Sequence, residues 1–183
     1  FLHRNTQSGS KKNIAAHYDL GNDFFELMLD ETMMYSSGIY AKATYKLHQA
    51  SINKLQAICQ KLQLSKHDHV LEIGTGWGGF AIYAAKNYGC HVTTTTISQQ
   101  QFDLAKQRID AADLSKKITL LKQDYRDLQG QFDKLVSIEM IEAVGHQFYD
   151  TFFAQCSQLL KPQGMMLLQA ITIADQRYQS AIK

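Results

Sequence analysis

An apolar strand that runs straight into a cluster of glycines constrains this chain more than any other feature. The segment is Val70-Leu71-Glu72-Ile73-Gly74-Thr75-Gly76-Trp77-Gly78-Gly79, and helical spacing begins as it ends. Glycine tolerates positive φ and removes the Cβ that would hold a ligand away from the backbone. In open α/β sheets such corners lie at the carboxyl ends of the strands, where ligands bind. The spacing Gly74, Gly76, Gly79 satisfies GxGxxG, which suits a dinucleotide as well as other cofactors and also occurs as a tight turn without a ligand.

The rest of the chain supplies the sheet that this corner needs. Apolar and β-rich runs predict strands over residues 70–73, 91–96, 118–122, 134–138 and 165–170, with helices over 79–87, 99–111 and 148–160. Strand–helix alternation with short connections implies an α/β fold, a doubly wound and mostly parallel sheet covered on both faces. Ser98 with Gln101 three residues later forms a capping-box pattern. The stripe Phe148, Phe152, Phe153, Cys156, Leu159 and Leu160 has helical spacing and reads as core. Residues 1–12 are polar and read as frayed, 13–64 as an N-terminal helical lid, and 65–183 as the core domain. Within the lid, Asn22 is placed to cap a short helix with Phe24, Phe25, Met28 and Leu29 on one side. The loop Tyr35-Ser36-Ser37-Gly38 follows, then a helix over 44–64 carrying Ile52, Leu55, Ile58, Cys59 and Leu62.

Composition narrows the partners. A 183-residue chain with 45% hydrophobic residues closes one core. Its net charge of +2 is spread over interspersed acids and bases, which argues against nucleic acid. Cys59, Cys90 and Cys156 form no CxxC pair and read as buried thiols of a reducing compartment; no metal site is expected. No run is long enough to span a bilayer and the N-terminus has no basic-then-apolar signal layout, so the expected location is cytoplasmic, at most peripheral at the inner membrane face. The start at Phe1 and the stop at Lys183, shortly after an apolar strand, read as a chain truncated at the C-terminus.

Two features favour S-adenosylmethionine over a nicotinamide cofactor. Glu72 stands two residues before the first glycine, as in the acid-x-Gly-x-Gly signature of S-adenosylmethionine-dependent methyltransferases, and a carboxylate suits a ligand with a sulfonium and an ammonium better than a pyrophosphate. About 20 residues on, a dinucleotide site wants an acid for the ribose, yet the second strand ends Thr93-Thr94-Thr95-Thr96.

The assembled motifs resemble those of the cyclopropane-fatty-acid synthases and mycolic acid cyclopropane synthases, over residues 13–173. The likeness rests on His17-Tyr18-Asp19-Leu20-Gly21-Asn22-Asp23-Phe24-Phe25, the Tyr-Ser loop, the glycine loop, Thr96-Ile97-Ser98-Gln99-Gln100-Gln101, Gln123-Asp124-Tyr125-Arg126, and Ser137-Ile138-Glu139-Met140-Ile141-Glu142-Ala143-Val144-Gly145. It implies a Rossmann-like class I methyltransferase fold. It also implies methylene transfer to the cis double bond of an unsaturated phospholipid acyl chain, with a bound bicarbonate as the base that removes the proton. By resemblance the cofactor contacts are Tyr35, Ser36, Glu72, Gly74, Gly76, Trp77, Gly78, Thr96, Ile97, Gln101, Asp124, Tyr125 and Arg126. The catalytic residues are Glu142, Ser37, Gln169 and Ile171. Three positions depart from the common pattern. Ser37 replaces a cysteine whose backbone amide is the working group. Gln169 replaces the bicarbonate-binding histidine, and an amide donates a hydrogen bond but carries no proton at neutral pH. Ala143 stands where histidine is common.

Other readings stay open at this level. A related methyltransferase acting on a small amine shares the Tyr-Ser loop and glycine motif, a non-catalytic fragment could keep the cofactor pocket alone, and a nicotinamide oxidoreductase comes last. Trp77 reads equally as a stacking partner and as packing. His17 and His146 are the histidines near the presumed site, neither expected to act as a base. Glu139 reads as half of a solvated pair at a strand end, and its partner Glu142 as the functional one.

Overall fold

Short β-branched and apolar runs, each followed by a helical stripe, build the sheet. The computed structural model describes Asn5, Thr6, Gly9 and residues 21–181. The segment expected to fray, apart from those three residues, and the His17 to Leu20 part of the opening motif lie outside the described residues. The strands are β1 (His69–Ile73), β2 (His91–Thr95), β3 (Ile118–Leu121), β4 (Phe132–Ile138) and β5 (Leu160–Gln169). All neighbours pair in parallel in the order β3-β2-β1-β4-β5. The sheet is therefore doubly wound, and its order reverses at β1/β4, the switch point where such sheets open a crevice.

Side-chain alternation along the strands divides the core. Val70, Val92 and Val136 face one layer, where they meet α2 (Leu47–Lys61) and α3 (Gly79–Tyr88) through Leu55, Ile58, Cys59, Phe80, Ala81 and Ala84, and Ile109 of α4 (Gln99–Ala111). Leu71, Ile73 and Leu135 face the other, against Phe152, Cys156 and Leu159 of α5 (Tyr149–Leu159). A third, smaller cluster joins Phe25 of α1 (Asn22–Met28) to Met33 and Trp77. The last described helix is α6 (Asp175–Ala181).

Several expected details are replaced by others with clear causes. Asn22 does not cap α1: Gly21 holds that position at φ 79, and the Asn22 side-chain Oδ1 accepts the Trp77 indole N–H at 2.9 Å. Of the apolar side expected on α1, Phe25 is buried, whereas Phe24 and Met28 are 43% and 46% exposed. Helix α2 is shorter than expected because the Lys46 N–H donates to the Gln49 side chain at 2.8 Å, closing its start, and Gln63 at φ 53 stops it. The Ser98–Gln101 box is half formed. Ser98 Oγ accepts the Gln101 N–H at 3.3 Å, but the Gln101 side-chain Oε1 accepts the Thr96 hydroxyl at 2.8 Å and does not return to Ser98. Phe153 drops out of the core stripe at 45% exposed. β5 starts five residues before its expected start, because a register shift against β4, between the pairs Phe132–Leu160 and Lys134–Met165, accommodates Pro162 on an edge strand.

Candidate active site

A cavity of about 880 Å³ opens at the carboxyl ends of the strands. Its floor is the glycine loop. A Cβ on Gly76, at φ +53, would meet nothing within 4 Å, so the backbone there faces open space. Gly74 also lines the cavity. Gly78 does not: it caps α3, and a Cβ there would point at Ile82 and Ala105.

Glu72 ends up under this loop because β1 delivers it there, and it is 2% exposed. Its Oε2 accepts the Thr94 hydroxyl at 2.6 Å, and Thr94 and Thr75 share a hydroxyl–hydroxyl bond of 2.7 Å. Burial pushes the Glu72 carboxyl up to about 8, against the smaller opposing pull of Thr94. The carboxyl is thus close to neutral at physiological pH and ready to ionise for a cation. The threonine run is a set of assigned hydroxyls, not a gap where an acid is missing. Thr93 bonds the His69 ring at 2.8 Å, Thr95 donates to the Gln123 carbonyl at 2.5 Å, and Thr96 accepts the Ser98 N–H at 3.1 Å while donating to Gln101.

The cavity walls gather most of the remaining sequence candidates. Tyr35, Ser36, Ser37, Trp77, Thr96, Ile97, Gln101, Asp124, Tyr125, Arg126, Glu142 and Ile171 all line it. Asp124 is buried and held in a forked pair by Arg126, with Oδ1–Nε at 2.8 Å and Oδ2–Nη2 at 2.7 Å, and Arg126 also donates to the Asn5 carbonyl. Trp77 borders the cavity, but its ring packs 4.7 Å from Phe25 and is 1% exposed, so packing is its structural part. Gln169 stands just behind the lining and reaches it through Ser37 and Glu139. His146 is exposed and lies off the lining, and His17 is outside the described residues.

Two charged residues belong to the site that sequence reasoning had passed over. Glu139 is the first: it is no solvated bystander, because its Oε1 accepts the Ser37 N–H at 3.1 Å, the Ser37 hydroxyl at 3.0 Å and the Gln169 amide at 2.7 Å. Glu142 points elsewhere and accepts the Ile171 N–H at 2.5 Å. Lys54 is the second. It is 1% exposed on the apolar face of α2 and donates to the Ser36 carbonyl and hydroxyl at 3.1 and 2.6 Å. Burial pushes its ammonium down to about 8, with Glu139 and Asp30 opposing. Its spacing four residues before Ile58 was the available signal, since a lysine in an apolar stripe needs a buried partner.

The segment before α2 is fastened over this site by two part-buried charged side chains, Arg108 and Asp30. Arg108 of α4 donates to the carbonyls of Trp77, Thr32 and Glu31 at 2.5, 3.3 and 2.7 Å. Asp30 accepts from Thr32, Ser51 and the His48 ring. Gly79 allows the close approach: a Cβ there would lie 2.5 Å from the Thr32 carbonyl oxygen and 2.6 Å from Met34 Sδ.

Known proteins resemble this chain in sequence and fold. The family model for mycolic acid cyclopropane synthetase matches residues 5–183. The cyclopropane-fatty-acyl-phospholipid synthase of Escherichia coli (strain K12) is 49% identical over 155 residues, 85% of this chain and 39% of that protein. A tuberculostearic acid methyltransferase of Mycobacterium tuberculosis is 41% identical over 175 residues, 92% of this chain and 41% of its own length. The chain thus spans about two-fifths of the curated relatives it matches. Among solved structures, a cyclopropane synthase from Mycobacterium tuberculosis superposes with a TM-score of 0.87 at 32% identity, covering 93% of this chain and 60% of that one. A mycolic acid cyclopropane synthase complexed with SAH and CTAB gives 0.82 at 33% identity, covering 86% and 55%. With the five-stranded fold, the glycine corner over a buried acid and a family match running from residue 5 to 183, this chain belongs to the mycolic acid cyclopropane synthetase family.

Proposed function

We propose that this chain holds S-adenosylmethionine in the glycine-loop cavity and forms the catalytic half of an enzyme that transfers a methylene to the cis double bond of an unsaturated phospholipid acyl chain. The observation that carries the reading is Glu72: a carboxyl sealed beneath Gly74 and Gly76, with the Thr94 hydroxyl donor on one side and the cavity on the other. The donor set fits the cofactor. Glu72 gains a counter-charge when an ammonium lies against it, the open face of Gly76 admits the amino-acid portion, and Thr96, Ile97, Gln101, Asp124, Tyr125 and Arg126 line the space for the nucleoside. When bound, the sulfonium supplies an electrophilic methyl group.

The chain's own residues do the rest. Met33, Met34, Ile138, Met140, Val144 and Ile171 give the cavity apolar walls that exclude water from a cationic intermediate on the acyl chain. The segment before α2 acts as the lid, with Tyr35, Ser36 and Ser37 closing over the reacting end. Glu142, fixed on the Ile171 N–H, holds the opposite wall. Among the described residues no helix is long and apolar enough to cross a membrane. We place the protein in the cytoplasm, meeting its lipid at the inner membrane face, and the exposed Phe24, Leu27 and Met28 of α1 support that contact.

The test is calorimetric titration with S-adenosylhomocysteine, with NADH as the control, followed by lipid mass analysis on the intact protein that carries this sequence. Micromolar binding of the first ligand alone, about −8 kcal/mol, and lipids heavier by one methylene are expected. NADH binding, or methylation of a small amine in place of lipid, would overturn the reading.

A further inference from the structure

The resemblance implies a bicarbonate held by the Ser37 backbone amide, by the residue at position 169 and by a glutamate, and the residues present do not fit that ion. The Ser37 N–H and the Gln169 amide both donate to a carboxylate of the chain itself, Glu139 Oε1, at 3.1 and 2.7 Å, and the Ser37 hydroxyl joins them at 3.0 Å. A free anion among these donors would displace a built-in one or lie against its charge, and two carboxylate-like groups sharing a site repel. We propose that the Glu139 carboxylate takes the place of the bicarbonate and is the base that accepts the proton released on ring closure. This rests on the function proposed above.

The backbone supports the assignment. Glu139 sits at φ 47, in the left-handed region that disfavours a residue with a Cβ, and such strain concentrates where a side chain must be aimed. Its N–H donates to the Gln169 carbonyl at 2.8 Å, so backbone and side chain are both tied to the end of β5. It lines the cavity beside Met140 and Glu142. The buried Lys54 ammonium, bonded to Ser36 next in the chain to Ser37, places a positive charge on the same side.

All three donors converge on Oε1, and the proton is assigned to Oε2. In the step, the acyl double bond has taken the methyl group and its second carbon is cationic. A C–H bond of that methyl breaks and its electron pair forms the remaining C–C bond of the ring. The proton goes to Glu139, and S-adenosylhomocysteine and the cyclopropane leave uncharged at the reacting atoms.

The experiment compares the intact protein with Glu139→Gln and Glu139→Gly, each first titrated with S-adenosylhomocysteine. Carbon-labelled bicarbonate is then added to the loaded proteins and followed by NMR, and lipid turnover is measured in carbonate-free buffer. The native protein should show no saturable bicarbonate site and should turn over without the ion. Glu139→Gln should bind S-adenosylhomocysteine normally and lose turnover by about a hundredfold or more. Glu139→Gly should gain a bicarbonate site and recover turnover when the ion is added. The proposal is overturned if the native protein binds bicarbonate as the glycine variant does or requires it, or if Glu139→Gln stays within a few-fold of native. Loss of S-adenosylhomocysteine binding by the native protein itself would instead strike the cofactor reading beneath it.

Discussion

Burial converts Glu72 from an ordinary acid into a group that titrates near physiological pH, and two outcomes follow. Its folded-state value near 8 lies above the ordinary 4.5, so between those values the folded protein holds a proton that the unfolded chain has lost. Stability from this group is full below pH 4.5 and falls as pH rises to 8, with a slope of up to about 1.4 kcal/mol per pH unit. Denaturant unfolding across that range should show the decline, and Glu72→Gln should flatten it. A ligand ammonium favours the ionised carboxylate, so binding of S-adenosylhomocysteine at pH 7 should expel close to one proton. Calorimetry in two buffers of different ionisation heat measures that release, and its persistence in Glu72→Gln would assign the proton elsewhere. The placement of Glu72, Gly74 and Gly76 at the cavity was legible in the sequence because residue type and local spacing carry it. Glu139 was not, since its donors Ser37 and Gln169 lie 102 and 30 residues away. Asn22 misled for the same reason: it has the side chain of a cap, but an indole 55 residues off claims it.

At the level of elements, residues 31–34 and the start of α3 depend on one another. Gly79→Ala would drive a methyl group into the Thr32 carbonyl and Met34, and main chain cannot retreat as a flexible side chain can. A stability loss of about 1–3 kcal/mol is expected, with weaker S-adenosylhomocysteine binding as residues 33–37 shift; an unchanged melting curve would show that the segment yields freely. Arg108→Lys should also weaken the fastening, because one ammonium does not reproduce a planar fork that reaches three carbonyls. Its signature would be faster amide exchange confined to residues 29–38, with α4 still protected. Most elements were readable from periodicity, and α4 matches its expected bounds of 99–111. Element edges set by tertiary contacts were less so. The start of β5 depends on a register shift against β4, and α2, read as part of the lid, packs its Leu55, Ile58 and Cys59 against Phe80, Ala81 and Ala84 in the main core.

Across the whole molecule, the three thiols report on both faces of the sheet. Cys59 and Cys90 are buried in one layer and Cys156 in the other, and burial pushes them up to about 12, 11 and 12. The native protein should resist thiol reagents at pH 8, and all three should react together as the fold is lost. Separate rates for Cys156 and the other pair would show that the two layers open independently. The distribution of contacts along the chain also bears on birth order at the ribosome. The corner around Glu72 closes with partners 19 to 22 residues apart, Thr75 to Thr94 and Glu72 to Thr94. The Ser37–Glu139–Gln169 cluster spans up to 132 residues and waits for the fifth strand. Synthesis runs from the N-terminus, so the hydroxyl contacts beneath the glycine corner can close while Glu139 still lacks the strand that carries Gln169.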